Sequence, residues 1–250
     1  MVITVADIYK KIDEFFPFET CFSWDNCGLI IGRPIKKVKK ILLTLDVTSS
    51  SVKRAIDLRV DLIITHHPPI FKPISSIVDN LFLQLIKNDI SVISVHTNLD
   101  VAMGGVNYAF ARKVGYKEVE PIIQDEKIIA VSVSCGRINP KEFAKFVKKQ
   151  LNAPFVRLYS PLNKKMWVEK VAFCGGAGSS FIEYLENKVD LLVSSDFTYH
   201  TLIKSKIHLI DVGHFYSEFP AMSIFEGLLD DIDLDIYSFK IDEINSLSVI

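Results

Sequence analysis

Two adjacent histidines close an apolar run, Asp61-Leu62-Ile63-Ile64-Thr65-His66-His67-Pro68-Pro69. Neutral imidazole is the commonest transition-metal ligand, so a pair of them at one point of the chain suggests a metal site. Two more histidines each stand four residues ahead of a carboxylate, in His96-Thr97-Asn98-Leu99-Asp100 and His214-Phe215-Tyr216-Ser217-Glu218. His66, His67, Asp100, His214 and Glu218 together suit one or two divalent ions such as Zn, Fe, Mn or Ni. Such a set leaves coordination positions open for water, as a catalytic metal requires. His96 reads as support for a neighbouring ligand or as a hydrogen-bonded core histidine. Asp196 and His200, in Asp196-Phe197-Thr198-Tyr199-His200, are candidates with His96 to move protons. Taken singly, each residue has a plainer reading: His66 and His67 as loop histidines, Asp100 as a helix cap before Gly104 and Gly105, His208 as structural.

The elements that must position these residues are legible. Residues 62–64 are branched and apolar without alternation, the pattern of a fully buried strand. Pro68 and Pro69 cannot continue a central strand, so the strand ends at the histidines. Open α/β sheets bind ligands outside the carboxyl ends of their strands. Strand-like runs near 41–45, 62–65, 91–95, 128–134, 171–174, 191–194 and 208–212 alternate with helical patterns, clearest at 50–58, 80–87 and 106–114. This predicts an α/β fold with largely parallel strands. Thr4 with Asp7 forms a capping-box pattern opening a first helix, whose apolar stripe continues through Ile8, Ile12 and Phe15.

An internal repeat ties the donors together. Val38-Lys39-Lys40-Ile41-Leu42-Leu43 resembles Val168-Glu169-Lys170-Val171-Ala172-Phe173, and Val60-Asp61-Leu62-Ile63-Ile64 resembles Val189-Asp190-Leu191-Leu192-Val193. His66 and His67 then fall opposite Ser195 and Asp196, and the two histidine–carboxylate segments correspond. The expected architecture is therefore two similar α/β lobes from an internal duplication, residues 1–120 and 121–250, with the metal site in the cleft between them. The polar stretch 115–125, with Pro121, is the candidate junction. Gly175-Gly176-Ala177-Gly178-Ser179 follows a strand and could receive phosphate on its N–H groups, but tight turn geometry explains the glycines equally well.

Composition removes several alternatives. With 250 residues and 49% hydrophobic content the chain can bury a sizeable core, and 29 Lys and Arg against 30 Asp and Glu leave no field to draw in nucleic acid. Lys36, Lys37, Lys39 and Lys40 read as a solvated loop. No run of 18 apolar residues occurs, so no membrane span is expected. Four scattered cysteines without a Cys-x-x-Cys pattern point to a cytoplasmic setting, with Cys135 and Cys174 as packed thiols.

In combination these segments resemble a known family. Trp24-Asp25-Asn26-Cys27-Gly28-Leu29, Thr65-His66-His67-Pro68-Pro69-Ile70-Phe71, His96 to Asp100, Gly175 to Gly178 and Gly213-His214 to Glu218 occur in the order found in the NIF-three-like family, the type 2 homologues of GTP cyclohydrolase I. The resemblance spans nearly the whole chain. It implies a two-lobed protomer with a dinuclear metal site held by His66, His67, Asp100, His214 and Glu218, and a toroidal homohexamer. Longer family members insert a further domain between the lobes, for which this chain has no room. Two ions there would make water a nucleophile near neutral pH, able to open a purine ring at C8 or to hydrolyse a phosphoester. The leading expectation is a metal-dependent hydrolase acting on a small-molecule nucleotide. The alternative is a non-enzymatic metal-binding or adaptor protein. Ser194, Ser195 or Cys174 are the fallback nucleophiles if no metal is involved.

Overall fold

The computed structural model describes residues 2–162 and 166–240. Contacts divide them into two units, residues 2–99 with 222–240, and Asp100–Ala221. In chain order the first unit forms α1 (Val5–Phe15), β1 (Gly28–Ile31), β2 (Lys40–Thr44), α2 (Ser49–Leu58), β3 (Leu62–Thr65), α3 (Asn80–Lys87), β4 (Ser91–Ser94) and α4 (Thr97–Asp100), whose last residue opens the second unit. The second continues with α5 (Val106–Val114), β5 (Glu120–Gln124), β6 (Lys127–Ile138), α6 (Pro140–Leu151), β7 (Arg157–Tyr159), β8 (Val168–Phe173), α7 (Ile182–Leu185), β9 (Leu191–Ser194), α8 (Tyr199–Lys204), β10 (His208–Asp211) and α9 (His214–Glu218). Helix α10 (Met222–Leu228) and strand β11 (Asp235–Ser238) belong to the first unit again.

Strands in the first sheet run in the order β1-β4-β3-β2-β11, and those in the second β5-β6-β8-β9-β10-β7. In the first, β4, β3, β2 and β11 are parallel and only β1 is antiparallel. The second departs from the expected parallel arrangement. Only β8, β9 and β10 run parallel, while β5, β6 and β7 join antiparallel. A tight turn at Asp125 and Glu126, both with positive φ, reverses β5 into β6 and makes the antiparallel pairing.

The expected break near residue 120 also moves. Helix α5 buries Phe110, Ala111 and Val114 in the same core as Phe143, Val171 and Phe173, so it belongs to the second unit. The stretch 115–125 holds β5, and β11 pairs beside β2, which assigns the C-terminal segment to the first unit. Side chains alternate across β8: Val171 and Phe173 enter one core, Ala172 the other. Helix α1 has the expected capping box, and Val5, Ile8 and Ile12 are buried, but Phe15 is 60% exposed. Phe16, one residue on, takes the buried place because the chain has left the helix.

Duplication is visible in the hydrogen bonds as well as in the topology. Asp61 accepts from the N–H groups of Lys39 and Lys40 at 2.8 and 3.1 Å, and Asp190 accepts from Glu169 and Lys170 at 3.0 and 3.1 Å. Registers correspond too, Ile41 facing Leu62 as Val171 faces Leu191. Each aspartate thus accepts from two successive N–H groups at or near the start of its neighbouring parallel strand. Asp61→Ala and Asp190→Ala should each lower unfolding free energy by about 1–2 kcal/mol, read from urea denaturation. A loss at one position and none at the other would contradict their equivalence.

Candidate metal centre

In the first unit, β3 is buried along its whole length and delivers His66 and His67 at its end. Their N–H groups extend the sheet, His66 to the Thr44 carbonyl at 3.3 Å and His67 to Leu45 at 2.9 Å. His66 is fully buried, and its Nδ1 lies 2.8 Å from the Val95 carbonyl. A carbonyl can only accept, so Nδ1 carries the proton and Nε2 the lone pair. His67 Nδ1 is held by Asp46 at 2.8 Å, and His96 Nδ1 by Asp25 at 2.8 Å. This carbonyl or carboxylate behind the imidazole orients a metal-ligating histidine and sets its tautomer. One ligand nitrogen from each of His66, His67 and His96 lies within 4.8 Å of the others.

Asp25 suits its place behind His96 through chemistry as well as position. Burial raises its carboxyl, but hydrogen bonds from His96 and Thr97 outweigh that and hold it at about 2. It therefore stays ionised and able to accept. It accepts from the His96 ring, the Thr97 N–H and hydroxyl, and the Asn26 N–H.

The second unit builds its donors on α9. His214 and Glu218, one helical turn apart, share a face, with His214 Nε2 2.9 Å from Glu218 Oε2. Behind the ring, Asp196 Oδ2 sits 2.5 Å from Nδ1. Asp196 reaches it from just beyond β9 by adopting a left-handed φ of 59°, which an aspartate tolerates better than most residues. Glu218 is buried, and an oxygen of Asp100 lies within 4.8 Å of one of its own. Two carboxylates so close in a buried place favour a cation beside them. Both raise the neighbouring Cys174 thiol, although burial is the larger cause, and together they push it up to about 12.

The glycine turn has a packing role. A Cβ on Gly176 would collide with the Glu218 carboxylate, and φ at Gly176 is 64°. The N–H groups of Gly175, Gly176 and Gly178 already donate to Asn107, Ser217 and Ser194 at 2.9 Å each. They are not available to a phosphate, which leaves tight turn geometry, and at Gly176 the closeness of Glu218, to account for the glycines. Ser194 and Ser195 in turn donate their hydroxyls to the Gly176 carbonyl at 2.8 and 2.7 Å. With Cys174 held as a thiol, all three fallback nucleophiles are occupied in structure.

Each sequence-predicted residue can now be placed. His66 and His67 come together with His96, which stands among the donors instead of apart in the core. Asp100, His214 and Glu218 gather in the second unit, with Asp196 orienting His214 and not positioned as an independent acid. His200 is exposed on α8 with its ring against Tyr199, and joins no donor group among the described residues. His208 is buried at the start of β10 with Nδ1 3.0 Å from the Ser160 hydroxyl, as a structural histidine should be. Asp46 had no sequence signal, since it stands 21 residues from His67. Cys21 and Cys27 form a disulfide, and nothing in their spacing announced it. Cys135 is only partly buried. No helix among the described residues is long and apolar enough to cross a membrane.

Two α/β units with matching strand patterns, the first gathering three histidines and the second a histidine and two carboxylates that could hold a metal ion, define the class of this protein. The chain belongs to the Duf34/NIF3 (NGG1p interacting factor 3) family, whose profile matches residues 3–245. It is 31% identical over 247 residues to a Clostridium perfringens protein named GTP cyclohydrolase 1 type 2 homolog, covering 92% of this chain and 93% of that one. Drosophila melanogaster NIF3-like protein 1 is 31% identical over 212 residues, covering 80% of this chain and 72% of the relative. Among solved structures, a Staphylococcus aureus hypothetical protein superimposes with a TM-score of 0.90 at 25% identity over the whole of both chains. Reduced HcgD from Methanocaldococcus jannaschii gives 0.83 at 26% identity, covering 96% of this chain and 99% of that one.

Proposed function

We propose that this protein binds two divalent metal ions through His66, His67, Asp100, His214 and Glu218 and acts as a metal-dependent hydrolase on a nucleotide. The observation that carries the metal reading is the set of acceptors behind the imidazoles. Val95, Asp46 and Asp196 each hold one ring nitrogen of His66, His67 and His214, which directs the other nitrogen of each ring to a ligand role. The paired carboxylates of Asp100 and Glu218 supply compensating charge. Divalent ions held there would polarise substrate and acidify water, making it a nucleophile near neutral pH.

The chain's own residues do the rest. Asp25, ionised and buried, fixes the His96 ring so that Nε2 is the atom able to take up or release a proton. Asp196 keeps His214 in one orientation. Nucleotide hydrolysis is drawn from the names of the relatives and from the capacity of such a centre to activate water. Assembly into a homohexamer belongs to the same reading. The exposed apolar side chains Ile74, Ile77, Val78, Leu83 and Ile86 give subunit contacts something to cover.

The test is a substrate screen on protein reconstituted with zinc or manganese, using purine nucleotides read by loss of purine absorbance and phosphoesters read by phosphate release. Metal-dependent turnover that disappears in His67→Ala is the expected result. Absence of any reaction across the set, at every pH at which the metal stays bound, would replace the hydrolase with a non-enzymatic metal-binding protein.

A further inference from the structure

Residues 21–27 form a loop tied down at several points. The Cys21–Cys27 disulfide closes it. The Phe22 N–H donates to the Thr97 hydroxyl at 3.1 Å, Asp25 is bonded to His96 and Thr97, and the Asn26 amide donates to the Ile70 carbonyl. Yet this anchored loop holds Trp24 with 57% of its surface exposed, and neighbouring Phe71 is 44% exposed. A tryptophan used for packing is normally mostly buried.

The surroundings of Trp24 are aromatic. Phe22 stacks on it with ring centroids 5.5 Å apart and planes 9° apart, Phe71 lies 5.7 Å away, and the His96 ring meets it edge-on at 6.4 Å. Trp167 gives the contrast: its ring is covered by the Arg137 guanidinium at 5.2 Å. Among the described residues no cation covers Trp24 in this way. The same His96 ring is within 5.4 Å of His67, centroid to centroid, so one imidazole connects Trp24 to the histidine group of the first unit.

We infer that Trp24, walled by the Phe71 ring tilted 46° to it, forms a stacking platform for the planar heteroaromatic ring of the substrate, a nucleobase in chemical class. The choice of a nucleotide rests on the hydrolase reading, while the platform itself rests on the geometry of this loop. Anchoring matters because the aromatic rings have already lost their freedom, so stacking does not have to order them. Base–aromatic stacking is tolerant of base identity, so the platform should set affinity for the ring and leave the choice among bases to other contacts.

Trp24 can be observed alone in a Trp167→Phe background. Guanosine, titrated into metal-free and metal-loaded protein, should quench its fluorescence saturably, and ribose should not. By equilibrium dialysis Trp24→Ala should bind guanosine roughly tenfold more weakly, with Phe71→Ala weakened less and Trp24→Phe retaining most of the affinity. All three positions are exposed or conservatively replaced, and circular dichroism checks the fold. No saturable quenching, or unchanged guanosine affinity in both alanine variants, overturns the platform. Guanosine binding at Trp24 without turnover of any nucleotide keeps the platform and rejects the hydrolase. Turnover with an unchanged KM in Trp24→Ala does the reverse.

Discussion

His67→Ala combined with Glu218→Gln is expected to lower bound metal by more than roughly tenfold while leaving the protein folded. Changes to the groups that merely support a metal ligand already cost about 10–100-fold in affinity, and here the ligands themselves are removed. The pair is chosen so that folding and binding separate. His67 is partly exposed, so truncation leaves little cavity, and glutamine keeps the shape of buried Glu218. Elemental analysis beside thermal melting reads both properties. Wild-type metal content in the folded variant would remove these residues from the ligand set.

Metal uptake should also release a proton from His214. Burial lowers the affinity of this ring for a proton, but the bonds to Asp196 and Glu218 outweigh it and raise it from 6.5 to about 10. In the metal-free chain the charged ring therefore contributes stability that is complete below the ordinary histidine range and is lost as pH rises through about 10. A metal needs the neutral ring, so at pH 7 it must displace that proton, and its affinity must grow with pH. Calorimetric titration in two buffers of different ionisation enthalpy counts the protons released. Identical heats in both would show that His214 is not displaced.

Gly176→Ala is the second substitution with a large expected effect. At φ 64° the left-handed backbone alone costs an alanine about 1 kcal/mol. Its Cβ would also strike the Glu218 carboxylate and approach within 3.5 Å of His214 Cε1. Pushing a buried carboxylate out of its bonds brings the total to about 2–4 kcal/mol, with bound metal falling alongside. Gly136 supplies the control, with φ 70° and nothing within 4 Å of the position a Cβ would take. Gly136→Ala should cost only the backbone part. Equal denaturation midpoints for the two variants would show that contact with Glu218 is not what glycine provides at 176.

Much of the fold was legible because it depends on neighbours in sequence. Strand β3 and helices α3 and α5 fall on the expected residues, since apolar periodicity reports burial directly. The repeat was legible for the same reason: matching strands carry matching patterns, and Asp61 and Asp190 proved to be equivalent in their bonds as well. The direction of β5, β6 and β7 was not, because strand order depends on which edges pair, and pairing is not a property of a single segment.

For the donor residues the division is the same. Sequence alone singled out His66, His67, Asp100, His214 and Glu218, because residue type and spacing are enough to mark imidazoles at a strand end and a histidine–carboxylate pair on one helical face. Only the tertiary structure could bring His96 into the histidine group, since its partner Asp25 lies 71 residues away. The same holds for the carboxylates behind His67 and His214, which are 21 and 18 residues distant. It also decided that His200 faces solvent and that the glycine turn makes room for Glu218. A ligand can be recognised by what it is. The group that orients it is recognised by where it is, and that position exists only once the chain has folded.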